Sequence, residues 1–146
     1  MIIPSHRNSL IVSLLIPFAP STLSLVSKAV APVLAMAENM KPEKTEGVKK
    51  IVREIKIKSP DLPALLVDFL SEVLYLTQVN KEIYNKVKFK KFSDPSINSG
   101  QVELEAELLG QKVKRFGEDI KAVTYHSLNV YQNKDGSWEA IVLFDI

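Results

Sequence analysis

An uninterrupted apolar stripe at helical spacing, near the middle of the chain, most constrains what this sequence can fold into. Its seven residues follow the i, i+3, i+4, i+7 pattern: Leu62, Leu65, Leu66, Phe69, Leu70, Val73 and Leu74. Asp61 occupies the position of a helix N-cap and Pro63 lies in the first turn, so the pattern predicts a helix that begins here. Such a helix must bury its stripe against another layer, and we expect that layer to be a β-sheet.

Two segments after this helix have the patterns of paired strands. In residues 101–109 apolar residues alternate strictly with polar ones, and three of the polar ones are glutamates. This period of two predicts a strand with one buried face. Residues 87–92 are basic and strand-like, and residues 93–100 form the loop between the two segments. A hairpin would place three lysines beside the glutamates: Lys86, Lys88 and Lys90.

Residues 51–58 predict another half-buried strand, because isoleucines alternate there with polar residues. Arg53 is the charged exception on the inner face of this strand.

The dipeptide Asp135-Gly136 predicts a hairpin that joins the last two strands, because type I′ turns need positive φ at both central residues. A two-residue turn would set a register in which His126 lies opposite Asp145. The last strand is apolar on both faces apart from Glu139 and Asp145. This composition suits a central strand that is covered on both sides.

The N-terminal part differs in composition, since the first 37 residues contain no Asp or Glu. We divide the chain into an atypical segment at residues 1–20 and a domain at residues 21–146. The apolar run Leu10–Ile16, with an Ala-Met-Ala sequence further on, is partly similar to a targeting segment. It is far shorter than the ~20 residues of a membrane-spanning helix. The alternative, a buried strand followed by a helix over residues 22–37, predicts a cytoplasmic protein.

Composition excludes several classes of function. The chain has no cysteine, which excludes a disulfide scaffold, a zinc–thiolate site and a cysteine nucleophile. Its two histidines, His6 and His126, leave a metal site to be built mainly from oxygen ligands, as calcium and magnesium prefer. The net charge of +2 is too small to predict nucleic-acid binding. No phosphate-binding loop, Gly-rich dinucleotide turn or nucleophile elbow is present.

The end of the chain carries the most unusual chemistry. Asp145 closes an apolar strand, and its side chain lies one residue from the α-carboxylate of Ile146. Two hard anions so close together suit calcium or magnesium if a third acidic side chain joins them. On spacing alone, a frayed terminus with both groups in water is the leading alternative.

Three segments of the C-terminal half, Lys121–His126, Asp135–Trp138 and Ile141–Ile146, together resemble the archease family. The helix that begins at Asp61 is similar to the second helix of that family, and residues 22–40 are more loosely similar to its first. The resemblance covers about residues 21–146.

This resemblance implies an α+β fold in which two α-helices pack on an antiparallel β-sheet. It also implies a non-enzymatic function, because archeases activate the 3′-phosphate RNA splicing ligase that joins tRNA exon halves. They promote guanylylation of that ligase and are regarded as chaperone-like. The resemblance implies calcium ligands at Asp145 and Ile146 and a role for Lys121 in activating the ligase, with His126 in the same run.

One departure concerns the calcium site. The family's His-Thr-Ala-Asp run, which supplies a further acidic ligand, is absent, and residues 9–20 contain no carboxylate. We therefore expect weakened calcium binding. Two other hypotheses stay open: an RNA-binding module that uses Lys86–Lys91 and Lys112–Arg115, and a metal-dependent hydrolase that uses His126 and Asp145.

Overall fold

The computed structural model describes residues 2–6, 9–16, 37–38, 40–45, 47, 49–93, 101–136 and 138–146. In these residues the chain forms eight strands and one helix: β1 (Ile2–His6), β2 (Ser9–Ile16), β3 (Pro42–Lys44), β4 (Ile51–Ser59), α1 (Leu62–Asn80), β5 (Glu82–Ser93), β6 (Val102–Phe116), β7 (Ala122–Gln132) and β8 (Trp138–Asp145). The expected α+β class is confirmed. Nearly all of the first helix, expected at residues 22–37, lies outside the described residues.

The strands form two antiparallel sheets rather than the single sheet that was expected. The first sheet has the order β1-β2-β8-β7. The second is centred on β6, which pairs with β4 and β5 along most of its length and with β3 near its C-terminal end. Because β4 and β5 both pair with the same stretch of β6, the C-terminal hairpin pairs with β2 instead and forms its own sheet.

The predicted helix α1 is confirmed together with its start. The Asp61 side chain accepts a hydrogen bond of 2.8 Å from the backbone N–H of Ala64, which caps the first turn. The helix ends at Asn80, and Lys81 is its C-cap. The backbone of Lys81 is left-handed (φ 52°), and its N–H donates to the carbonyl of Thr77. Among the described residues, no helix has the length and apolar character needed to cross a lipid bilayer.

Helix α1 joins the two sheets through one hydrophobic core. The stripe is buried from Leu65 to Leu74, with Leu66 partly buried. The same cluster contains apolar side chains of β6, such as Leu104 and Leu108, and of β8, such as Val142 and Phe144. Burial of apolar area is the main stabilising term for such a core. The central position of β8 between β2 and β7 is confirmed.

The last hairpin forms, but its turn differs from the expected type I′ turn. Of the two central residues only Gly136 takes a positive φ (87°), and its N–H donates to the carbonyl of Asn133 at 3.0 Å. The first strand pair beyond the turn is Gln132 with Trp138, so the connection between the two strands is longer than two residues. The two-residue turn predicted from Asp135-Gly136 is therefore wrong, because a turn that starts at Asn133 satisfies the backbone instead.

Gly110 of β6 lies where β5 bends toward it. A Cβ atom on Gly110 would stand 1.8 Å from the carbonyl oxygen of Ile83, which no backbone neighbour tolerates. We expect Gly110→Ala to lower the free energy of unfolding by about 1–3 kcal/mol or more, since strands must separate to admit the methyl group. Thermal unfolding measures this. Gly117→Ala, whose Cβ would lie 3.3 Å from Lys41, should be milder, and an equal loss would contradict the assignment.

Candidate functional site

The C-terminal end of β8 lies directly beside the start of β7. The backbone N–H of Lys121 donates a hydrogen bond of 2.7 Å to the carbonyl of Asp145, and Ala122 is the strand partner of Asp145. Ile146 is half-buried and packs against the hydrophobic core. The terminus is therefore not frayed, and Lys121, Asp145 and Ile146 lie at the same sheet end.

The side chains at this sheet end remain accessible. Lys121 and Asp145 are both exposed, and no ion pair joins them within the described part of the chain. The Lys121 ammonium group and the Asp145 carboxylate thus stand on an open edge, where a partner's charged groups can reach them. An exposed edge of this kind suits the docking of a partner better than it suits catalysis, which needs an enclosed site.

The carboxylate oxygen atoms at this sheet end are the type of ligand that calcium prefers, but they are fewer than calcium needs. Calcium takes six to eight oxygen ligands. Asp145 has Ser9 of β2 and Ala122 of β7 as strand neighbours, and neither is acidic. In the part of the chain that the structure describes, no three acidic or histidine side chains form a group that could hold a metal. Among the described residues, Asp145 therefore lacks the further acidic side chains that a tight calcium site needs.

His126 does not lie opposite Asp145, so the predicted register is wrong at this point. Between Thr124 and Asn129 the β7–β8 ladder is interrupted, and His126 lies inside the interruption. Its side chain is exposed. The hydrolase hypothesis needed His126 across from Asp145, and that geometry is not present.

Tyr125, next to His126, makes a contact that the sequence did not reveal. Its hydroxyl donates a short hydrogen bond to the carboxylate of Asp68 on α1. The other oxygen of Asp68 accepts from the hydroxyl of Ser59 at 2.5 Å, and Ser59 is 2% exposed. The bond to Asp68, with some burial, raises the pKa of Tyr125 to about 12. Only the polarity of Asp68 on an apolar helix could have signalled this contact.

Arg53, expected on the inner face of β4, has a buried partner. Its guanidinium donates two hydrogen bonds, of 2.7 and 3.0 Å, to the carboxylate of Glu82, which is 0% exposed. The hydroxyl of Tyr84 donates a third bond of 2.6 Å to the same carboxylate. Burial alone would raise the pKa of Glu82, but these hydrogen bonds outweigh burial and lower it. This network links β4 to β5 across the sheet that is centred on β6.

The lysines of β5 lie beside the glutamates of β6, as predicted, with one exception. Lys88 is the strand partner of Glu107, and Lys90 forms an ion pair of 2.6 Å with Glu107. Lys86 lies opposite Leu109 instead, because the glutamates of β6 alternate only as far as Glu107 and the next position on that face is a leucine.

The other edge strand of this sheet completes the charge pairing. Lys56 of β4 forms an ion pair of 3.0 Å with Glu105, and Lys90 also reaches Glu54 at 3.4 Å. The hydrogen bond from Lys56 lowers the pKa of Glu105. The outer face is thus an alternating ionic surface, in which glutamates offset part of the lysine charge.

A cleft of about 530 Å³ lies at the C-terminal end of α1, lined by residues that include Lys81, Arg115, Glu118 and Asp119. The two basic side chains of this lining offset the two acidic ones. The side chain of Gln78 donates hydrogen bonds to Asp119 and to the carbonyl of Ile120. Nothing in this balance points to one ligand class.

Comparisons with known proteins agree with this fold. A model of the archease protein family matches residues 18–146. The archease of Methanosarcina barkeri is 40% identical over 98 residues, which cover 64% of this chain and 64% of that protein. The archease of Methanosarcina mazei is 36% identical over 108 residues, which cover 71% of this chain and 70% of that protein. The match to the first of these spans less than two thirds of that protein's length.

A solved structure supports the same fold. The solution structure of protein 1598 from Methanobacterium thermoautotrophicum superposes with a TM-score of 0.66 at 23% identity, and the match covers 99% of this chain and 96% of that one. The class is therefore a small α+β protein whose candidate site is an exposed sheet end. The family follows from the model that matches most of the chain: this chain belongs to the archease family.

Proposed function

We propose that this protein is a non-enzymatic, chaperone-like activator of a 3′-phosphate RNA splicing ligase that acts in the cytoplasm. It promotes guanylylation of the ligase during tRNA splicing or RNA repair. Membership of the archease family supports the proposal. The observation that carries it is the hydrogen bond between the Lys121 N–H and the Asp145 carbonyl.

That bond matters because it gathers charges of both signs on one accessible edge. Lys121 offers an ammonium group that can offset phosphate charge, and Asp145 and Ile146 offer carboxylates that can bind a partner's metal ions. A guanylylation site needs both, since nucleotide phosphates and divalent ions meet there. The edge therefore fits a partner's nucleotide cleft, where it would help order the ions and phosphates.

The test is to add the purified protein to the RNA ligase of the same organism and to follow formation of the ligase–GMP adduct. We expect the adduct to form at least tenfold faster than with ligase alone. An equal amount of unrelated small protein is the control. A rate equal to that of ligase alone would reject the proposal.

The alternative, an RNA-binding module on the lysine-rich strands, has weaker support. Lys56 and Lys90 are paired with glutamates on the outer face of the β4–β6–β5 sheet, so part of the basic charge is offset. Binding through free lysines would weaken steeply with salt. RNA binding that is absent, or insensitive to salt, would remove this alternative.

We further propose that calcium binds weakly at the end of β8. Two carboxylates favour a Kd of about 1 mM, near the weak end of protein calcium sites. Calcium at ~10 mM then adds about 1.4 kcal/mol of stability, which raises the Tm by roughly 3–5 °C. Asp145→Asn should abolish the rise, and Glu43→Gln on β3 should leave it intact. A parent protein that shows no rise would contradict calcium binding here.

A further inference from the structure

The pairing of β7 with β8 changes register once along its length. Near the turn, Asn129 is the partner of Ile141, and beyond the interruption Thr124 is the partner of Leu143. Residues 125–128 of β7 therefore stand opposite Val142 alone. Three extra residues are inserted into β7, more than the single extra residue of an ordinary β-bulge, so this is a special bulge. We call residues 125–128 the β7 bulge.

The β7 bulge decides which residue reaches the end of β8. If the register at Asn129 continued without it, Tyr125 would be the partner of Asp145. With the bulge, Ala122 takes that place, and Lys121 bonds to Asp145. The shift corresponds to three residues, or roughly 10 Å along the strand.

Contacts on both sides hold the β7 bulge in place. On one side, the hydroxyl of Thr124, the residue just before the bulge, donates a hydrogen bond of 3.1 Å to the carbonyl of Leu143. At the other side, Leu128, the last residue of the bulge, packs against the hydrophobic core. At the first bulge residue, the Tyr125 hydroxyl bonds to Asp68 of α1. Tyr125 itself is 58% exposed, so packing contributes little to its position and the hydrogen bond contributes much.

Asp68 is a rigid anchor for this bond. It lies on α1 within the capped helix, and its second oxygen accepts from Ser59 at the end of β4. A carboxylate held from two sides keeps a fixed geometry for the incoming hydroxyl.

We propose that Tyr125 is a positioning residue, whose bond to Asp68 holds the β7 bulge and so keeps Lys121 beside the end of β8. The importance of this position for activity depends on the proposed function, but the positioning itself does not. The contact thereby connects helix α1 to the sheet end that carries Lys121, Asp145 and Ile146, which we call the docking edge.

Backbone hydrogen exchange in Tyr125→Phe tests the positioning directly. The substitution removes only the hydroxyl of an exposed ring, so the fold and the Tm should persist. We expect exchange at the Lys121 N–H to rise about tenfold, as loss of a bond to a charged acceptor allows. The control is the N–H of Val113, which lies on β6 in the other sheet and bonds to the carbonyl of Lys81. Exchange at this N–H should not change.

Two further variants separate positioning from general loosening. Asp68→Asn keeps an acceptor oxygen, so it should retain most of the Lys121 protection. Tyr75→Phe removes the hydroxyl of a different exposed tyrosine, which lies on α1, and should leave exchange at the Lys121 N–H unchanged. Unchanged exchange at Lys121 in Tyr125→Phe would overturn the proposal, and so would an equal rise at Val113.

Ligase–GMP formation with the same variants distinguishes this inference from the proposed function. Tyr125→Phe should reduce the acceleration although the Lys121 side chain is intact, and the single variant Asp68→Asn should retain most of the parent's acceleration. If Lys121 exchange rises while acceleration is unaffected, the positioning stands and the role of the docking edge in ligase activation is overturned.

Discussion

Glu82→Ala should lower the free energy of unfolding by about 2–3 kcal/mol, because it removes a buried carboxylate that accepts three hydrogen bonds and leaves a buried donor unpaired. Glu82 is fully buried and accepts bonds from Arg53 and Tyr84. Its loss leaves the Tyr84 hydroxyl, which is 1% exposed, without its acceptor. Chemical denaturation at neutral pH measures the change.

Glu105→Ala is the matched control, because Glu105 is also paired with a basic side chain but on the outer face of the sheet. Exposed ion pairs contribute little, so this variant should lose much less stability. If both variants lose the same amount, burial of the Glu82 carboxylate has no special importance for stability.

The Glu82 network also predicts a pH dependence. The hydrogen bonds hold the pKa of Glu82 below its ordinary value despite its burial. A carboxyl with a lowered folded-state pKa contributes stability that is complete above the unfolded pKa of about 4.3 and is lost as the pH falls through the folded value. The stability difference between the parent and Glu82→Ala should therefore shrink below about pH 4.

Lys121→Ala should reduce the acceleration of ligase–GMP formation by about tenfold or more, the effect of losing one charge-assisted contact to phosphate. The variant should fold normally, because the bond to Asp145 comes from the backbone N–H and not from the side chain. An unchanged Tm with a reduced rate is the expected combination.

Lys134→Ala provides the matched control, since Lys134 is an exposed lysine in the turn at the other end of the same hairpin. It should activate as the parent does. If Lys134→Ala and Lys121→Ala reduce the rate equally, general positive charge is responsible. The docking edge would then have no specific role.

Local patterns predicted the elements correctly where periodicity was strong. The stripe of α1 and its Asp61 cap, the buried even-numbered face of β6 and the central place of β8 all follow from residues close together in the chain. The inward position of Arg53 was also visible, because a period of two assigns each residue to a face. These features depend only on local geometry and on which side chains avoid water.

Partners across the fold were not predictable in the same way. Nothing near Arg53 in sequence indicates Glu82, and nothing near Tyr125 indicates Asp68, since these pairs are 29 and 57 residues apart. The position of His126 was wrong for the same reason. Its register was calculated from a two-residue turn. The longer loop shifts the pairing by one residue, and the β7 bulge shifts it by three more.

The sequence by itself determined helix α1 and the buried faces of β4 and β6, because burial acts on each segment through its own period. Only the tertiary structure decided which residues meet at the end of β8. A bulge adds residues at a single point and shifts every pair beyond it, while the alternation on either side remains unchanged. The approach of Lys121 to Asp145 is therefore a property of the folded sheet and of the helix that anchors it.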